Sequence, residues 1–349
     1  MKTPGFKNIA IIRLSSLGDI VHTLPAFNLL RKEFPRAKIS WFAEPNGAKL
    51  LKNVPGIDEI IAIDLKAKGF FNKLKEIRRI RSLYRIKFDL IFDFQGLLKS
   101  AILAWMLKGY TIGFGKENLR EPQARFFYNH HVRPFPEDSH VIFKNIYLLN
   151  DAVVVSDPPV VEFPLAAIPA SEKVENFLSG NNLQKHRYLI LNVGGGWESK
   201  LLAPPQYIDV AQKLKNKFKH EVVLLWGNGK EEQIAREIAR ETGALVSVFF
   251  DFSELILFIR YARLIVTADT LALHVADMVK TPSVGFFGPT SPLRNGSLLE
   301  ESVAVYEKLD CGFCYKKKCA KIDCIKKISP DKIVEAIEQI NEKYRRNHH

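Results

Sequence analysis

Four short stretches carry residues whose type and spacing could do chemistry. Ser15-Ser16-Leu17-Gly18-Asp19 ends an apolar run. Gly18 lets the chain turn tightly, and the helix that follows offers unpaired N–H groups. Asp19 is placed either to cap that helix or to act as a general base. Asn192-Val193-Gly194-Gly195-Gly196-Trp197-Glu198-Ser199-Lys200 sets three glycines before a lysine. Closely approaching backbone and a positive point charge are what a diphosphate cradle needs, although a flexible loop with a surface lysine would read the same way. In Thr267-Ala268-Asp269-Thr270-Leu271-Ala272-Leu273-His274, Asp269 and Thr270 stand at a helix start and His274 one turn along the same face. They could meet a ligand, or serve as a helix cap and a core histidine. Trp226-Gly227-Asn228-Gly229-Lys230-Glu231-Glu232 joins a tight glycine loop to acids just inside a helix. Those acids suit ribose hydroxyls, or simply the helix dipole.

A fifth stretch, Cys311-x2-Cys314-x4-Cys319-x4-Cys324, places four thiols within 14 residues. They could wrap a structural zinc ion, but the second CxxC knuckle of such sites is missing, and a packing or redox-labile cluster is the alternative. A reducing compartment argues against disulfides. The chain has neither a GxGxxG nor a P-loop pattern, and no HExxH or Ser-His-Asp order supports a hydrolase.

The elements that must position these residues alternate between strand and helix. Strands are expected at Ile9–Leu14, Ile39–Ala43, Glu59–Ile63, Phe88–Phe92 and Tyr110–Phe114. After a proline-rich passage they resume at Tyr188–Val193, Glu221–Trp226, Ala244–Phe249, Leu264–Ala268 and Pro282–Phe287. Helices are expected at 205–219, 230–241, 253–262, 270–280 and Asp331–Arg345. Such alternation means α/β architecture: two doubly wound parallel-sheet domains facing a central cleft, with ligands at the C-terminal strand ends. The hinge falls near residues 157–170. The expected domains are 1–163 and 164–329, with a helix in 330–349 packing back on the first. Each chemical stretch but the cysteines then begins where a strand ends.

Composition narrows the function class. The chain has 349 residues, 47% of them apolar and 26% charged, which excludes a disordered polypeptide. No apolar run reaches membrane-spanning length, and the polar Ser15–Asp19 stretch interrupts any signal-like N-terminal segment, so a cytoplasmic protein is expected. The net charge of +13 favours anionic partners. Nine cations between Lys66 and Lys87 stand against the single acid Glu76, so this run alone supplies +8. A solvated helix face or a non-catalytic basic module for membrane or nucleic acid would share that signature, although no nucleic-acid-binding motif accompanies it.

Seven segments together resemble the bacterial ADP-heptose:lipopolysaccharide heptosyltransferases. They are RLSSLGDIVHTLPA (Arg13–Ala26), DFQGLLKSA (Asp93–Ala101), REPQARFFYN (Arg120–Asn129), the Lys200 loop, WGNGKEE (Trp226–Glu232), TADTLALHVA (Thr267–Ala276) and FGPTSPLRNG (Phe287–Gly296). The resemblance covers nearly the whole chain, and the second and third segments look most like heptosyltransferase I. It implies a GT-B fold of two Rossmann-like domains and an inverting transfer of heptose from ADP-heptose to the Kdo (3-deoxy-manno-octulosonate) of lipopolysaccharide. A second- or third-heptose acceptor is the alternative within the family. By the same resemblance Asp19 is the base and Lys200, with Gly194 and Gly195, meets the donor diphosphate. Glu231 or Glu232 meets the ribose, and Asp269, Thr270 and His274 the nucleotide sugar. The basic residues Lys66, Lys68, Lys73, Arg78 and Arg120 are expected on the acceptor side, against anionic lipid A at the inner leaflet of the cytoplasmic membrane. No cofactor or catalytic metal is expected, nor a nucleic-acid partner, and a monomer suffices. Leu271 stands where relatives commonly have glycine, and Gly194 and Gly195 where some have hydroxyl residues.

Overall fold

A strand covered on both faces must be apolar along its length, and Asn8–Ile12 (NIAII), Leu90–Asp93 (LIFD), Tyr188–Asn192 (YLILN) and Leu264–Ala268 (LIVTA) meet that demand. The computed structural model describes residues 5–64, 87–153 and 160–347. The chain divides into two compact units, Met1–Ala167 and Ile168–His349. Lys66, Lys68, Lys73 and Arg78 of the basic run lie outside the described residues.

The first unit runs β1 (Asn8–Ile12), α1 (Leu17–Glu33), β2 (Lys38–Ala43), α2 (Pro45–Leu51), β3 (Glu59–Ala62), β4 (Leu90–Asp93), α3 (Leu98–Met106), β5 (Tyr110–Gly113), β6 (His130–His131) and α4 (Val141–Ala152). Its sheet has the order β3-β2-β1-β4-β5-β6, with every pairing parallel. The order reverses between β1 and β4, where Ile12 lies opposite Asp93. The loops that leave these two strands therefore start side by side at a topological switch point, the usual place for a ligand in such sheets.

The second unit runs α5 (Glu172–Gly180), β7 (Tyr188–Asn192), α6 (Pro204–Phe218), β8 (Glu221–Leu225), α7 (Gly229–Thr242), β9 (Leu245–Val246), α8 (Phe252–Arg260) and β10 (Leu264–Ala268). It continues through α9 (Leu271–Met278), β11 (Ser283–Phe287), α10 (Pro292–Asn295), β12 (Val303–Tyr306), α11 (Asp323–Lys326) and α12 (Pro330–Asn347). The strand order β12-β11-β10-β7-β8-β9 repeats the winding of the first sheet, again all parallel. Its switch point lies between β7 and β10, the strands that feed the Lys200 and Asp269 loops.

Two expectations change, and one helix finds its place. Helix α12 packs on α6, β11 and β12 of its own unit. Its stripe Ile333, Val334, Ala336, Ile337 and Ile340 is buried in that unit's core, and Lys213–Asp331 and Lys217–Glu338 pairs, each 2.8 Å, flank it. β9 keeps two residues of the six expected, because the indole of Trp226 takes the Ser247 carbonyl at 2.7 Å and the chain leaves the sheet there. The edge strands β6 and β12 were not foreseen, one being two residues long and the other half-exposed. Among the described residues no helix is long and apolar enough to cross a membrane.

Candidate functional site

In the second unit, the loops after β7 and β10 bring Lys200, Asp269 and His274 together. The Lys200 ammonium donates to the Asp269 carboxylate at 2.8 Å and to the Asp269 carbonyl at 2.9 Å, and His274 Nε2 lies 3.2 Å from the other carboxylate oxygen. Asp269 and His274 are buried, and Lys200 is partly covered. Burial alone would push the Asp269 carboxyl up, but the His274 hydrogen bond and the Lys200 charge outweigh it and hold the group well below the carboxylate range. The Lys200 ammonium also lies 4.4 Å from the Trp197 ring centre. Asp269 is therefore not the cap of α9. Thr270 occupies that position, its hydroxyl 3.1 Å from that of Thr267 and 3.2 Å from the Asn192 amide. Asn192, which the sequence did not single out, also donates to Thr267 and to the Gly194 carbonyl, both at 2.9 Å, and so ties the two loops together.

Glu231 and Glu232, equivalent in the sequence, part company here. Glu231 accepts from the Gly195 N–H at 3.0 Å and from the Gly227 N–H at 2.7 Å, clamping the β7 and β8 loops to each other. Glu232 turns to Arg236 one helical turn on. A Cβ on Gly194 would overlap the Glu231 carboxylate, so a side chain there would displace that acid from its clamp. The N–H groups of Gly194 and Gly195 are engaged inside the protein, with Asn192 and Glu231. These glycines contribute closeness and loop shape rather than the N–H cradle their sequence suggests.

In the first unit, Asp19 is the third residue of α1, behind Ser16 at the N-cap. One carboxylate oxygen accepts from the Ser16 N–H (3.0 Å) and hydroxyl (2.9 Å), and the other meets the Arg13 guanidinium at 2.9 Å. A third of the Asp19 side chain stays exposed, while Arg13 is nearly covered. Arg13 in turn donates to the Phe94 carbonyl, and the Gln95 side-chain oxygen accepts from the Leu14 and Ser15 N–H groups, both at 3.0 Å. That β4 turn is fixed by Asp93, which accepts from the Gln95 and Gly96 N–H groups and from the Tyr128 and Ser100 hydroxyls, both 2.8 Å. Burial pushes the Asp93 carboxyl up against these four hydrogen bonds, and the Tyr128 phenol is raised with it. Arg13, Asp93 and Gln95 thus place Asp19, although the sequence marked only their segments. Arg120 is exposed in the loop after β5.

Cys311, Cys314 and Cys319 are exposed free thiols and Cys324 is a buried one. Among the described residues no group of three or more His, Cys, Asp or Glu could hold a metal ion, so the structural zinc considered from spacing is not supported. Burial raises the Cys324 thiol, while backbone N–H groups of Ile322 and Lys321 lower that of Cys319. The stretch instead braces its neighbours. Phe313 and Tyr315 N–H groups reach the Gly288 and Pro289 carbonyls (3.1 and 2.7 Å), and the Ser199 hydroxyl donates to the Lys316 carbonyl (2.9 Å).

Two all-parallel six-stranded sheets with this winding, each with a polar cluster at its switch point, are two Rossmann-like units, the composition of the GT-B fold. The fold matches the glycosyl transferase family 9 protein of Veillonella parvula DSM 2008 at a TM-score of 0.78 and 21% identity, covering 97% of this chain and 99% of that one. It matches E. coli heptosyltransferase WaaC, solved with ADP-2-deoxy-2-fluoro heptose, at 0.74 and 21%, covering 95% and 99%. Lipopolysaccharide heptosyltransferase 1 of Campylobacter coli is 30% identical over 299 residues, 82% of this chain and 85% of that protein. Residues 77–324 match glycosyltransferase family 9 (heptosyltransferase), and the chain belongs to that family.

Proposed function

We propose that this chain transfers heptose from ADP-L-glycero-D-manno-heptose to the Kdo of the lipopolysaccharide inner core, inverting the anomeric centre. The observation that carries this reading is the Lys200–Asp269–His274 group at the second switch point. Asp269 and His274 hold one ammonium in a fixed place, where it can receive the charge that develops on a departing diphosphate. Glu231, turned toward the same loop, takes the ribose hydroxyls, and Thr270 lines the approach. The name of the C. coli relative and the sugar nucleotide in the WaaC structure both support this choice of substrates.

In the first unit, Asp19 accepts the proton of the attacking hydroxyl. The acceptor oxygen bonds to the anomeric carbon as the bond to ADP breaks, and ADP leaves with that electron pair. A carboxylate already shared with Arg13 and Ser16 is a weak base. The proton therefore passes late, once the attacking oxygen has begun to bond and has become acidic. Arg120 and the basic run after β3 serve the anionic, lipid-linked acceptor, so the enzyme works at the inner face of the cytoplasmic membrane.

The test is direct. Purified protein is given ADP-heptose and a Kdo-bearing lipid A acceptor, and ADP release and glycolipid mass are followed. Stoichiometric ADP and heptosylated product support the reading. Donor hydrolysis without product, or preference for a uridine nucleotide sugar, overturns it.

A further inference from the structure

Helix α3 is apolar nearly all the way round. Ser100, Ala101, Leu103 and Ala104 are buried against the first unit, and Lys99 pairs with Glu44 at 3.1 Å. Leu98, Ile102 and Trp105, spaced i, i+4 and i+7, form the outer stripe, where a helix facing water carries polar residues. Trp105 is 62% exposed. The 3-10 turn Pro122–Phe127 packs beside α3, with Phe127 set edge-on to Trp105 (6.2 Å between ring centres). That turn carries Phe126, 73% exposed, with the Arg125 guanidinium 4.8 Å from its ring centre.

The surroundings of this patch are cationic. From Leu98 to Phe127 there are five basic residues against two acids, and of the five Lys99 is paired with Glu44. Lys108, Lys116 and Arg120 are exposed. Large aromatic tips beside arginine and lysine are the chemistry of a membrane interface, in which rings enter the headgroup boundary and cations meet lipid phosphates. A second copy of this chain would bring one cationic rim against another. We infer that this face of the first unit rests on an anionic lipid bilayer, with Ile102, Trp105 and Phe126 in the interface and Lys116 and Arg125 at the phosphates. The inference deepens the proposed function, since it names the surface that would bring the enzyme to a lipid-linked acceptor.

The experiment compares the full chain with a Trp105→Ser/Phe126→Ser double variant by vesicle co-sedimentation. Phosphatidylglycerol–phosphatidylcholine vesicles are set against phosphatidylcholine alone, at low salt. ADP affinity and circular dichroism check that the variant is folded. The expected result is selective binding of the wild type to the anionic vesicles, a blue shift of its tryptophan emission, and a loss of binding of roughly tenfold in the variant at unchanged ADP affinity. Vesicle binding equal in both proteins overturns the inference. So does a wild-type dimer that the substitutions convert to monomer with vesicle binding unchanged, which gives the face to a second copy. Selective vesicle binding by a protein that does not bind ADP would uphold the surface and sink the proposed function instead.

Discussion

Asp93 and Asp269 each stand where a central strand ends, each in its own unit, and both are buried. Their surroundings push them in opposite directions. Asp93 is met by two hydroxyls and two backbone N–H groups, all neutral, and burial prevails, so its carboxyl is raised. Asp269 is met by an ammonium and an imidazole, which prevail over burial and lower it. The difference separates two uses of one residue type. Asp93 fixes a turn that positions the covered Arg13 and, through it, the partly exposed Asp19. Asp269 orients a cation that can face a ligand. The first unit spends its buried carboxylate on placement, and the second on charge.

The sharpest way to break this division is Asp19→Asn. It should lower turnover by about 10²–10⁴-fold, because the amide cannot take a proton, while ADP affinity by calorimetry stays within about twofold. Near-wild-type turnover would leave Asp19 as a helix-start residue only. Next comes the pair Asp269→Asn and Asp93→Asn. The first strands the Lys200 ammonium and should cost about 3–5 kcal/mol in denaturant unfolding, against about 1–3 kcal/mol for the second. Their pH trends should also diverge. The lowered Asp269 contributes stability above the ordinary carboxylate value near 3.9 and loses it as pH falls, so the deficit of Asp269→Asn shrinks on acidification. The raised Asp93 costs the wild type stability as pH rises through its folded value, so Asp93→Asn gains on the wild type in that direction. Parallel trends would erase the contrast.

Lys200→Ala should weaken ADP binding by roughly 10–100-fold, the range for one charge-assisted hydrogen bond, and calorimetry at fixed salt measures it. Unchanged affinity would remove the diphosphate from this cluster. The smallest effect separates the two neighbouring acids. Glu232→Gln touches only a surface pair with Arg236 and should alter stability by about 0.5 kcal/mol or less and ADP affinity within about twofold. Glu231→Gln loosens two loops at once and should cost several times more in affinity.

Most of the frame was legible because parallel strands covered on both faces have to be written as continuous apolar runs. The positions at their ends were legible for the same reason, and Asp19, Lys200, Asp269 and His274 do stand in the turns and helix starts that follow β1, β7 and β10. What failed depended on who meets whom across long stretches of chain. Nothing local distinguishes Glu231 from Glu232; the choice is made by the Gly195 N–H, 36 residues away. Asp269 could be read as a cap or as a ligand-facing acid, and what excludes the cap is Lys200, 69 residues distant, which holds its carboxylate. Arg13 and Gln95 look like ordinary strand-end residues until β1 and β4 are set side by side. The outward stripe of α3 was invisible for the opposite reason, since an apolar helix gives no sign of which face lacks a cover.

The contact between Gly194 and Glu231 makes the history of each position conditional on the other. With the Glu231 carboxylate where it stands, a side chain at 194 would collide with it. A hydroxyl residue at 194 would require the acid to shorten or move. A side chain at 194 therefore comes with a displaced or altered acid on α7. A library varied at both positions should return coupled solutions in place of independent ones.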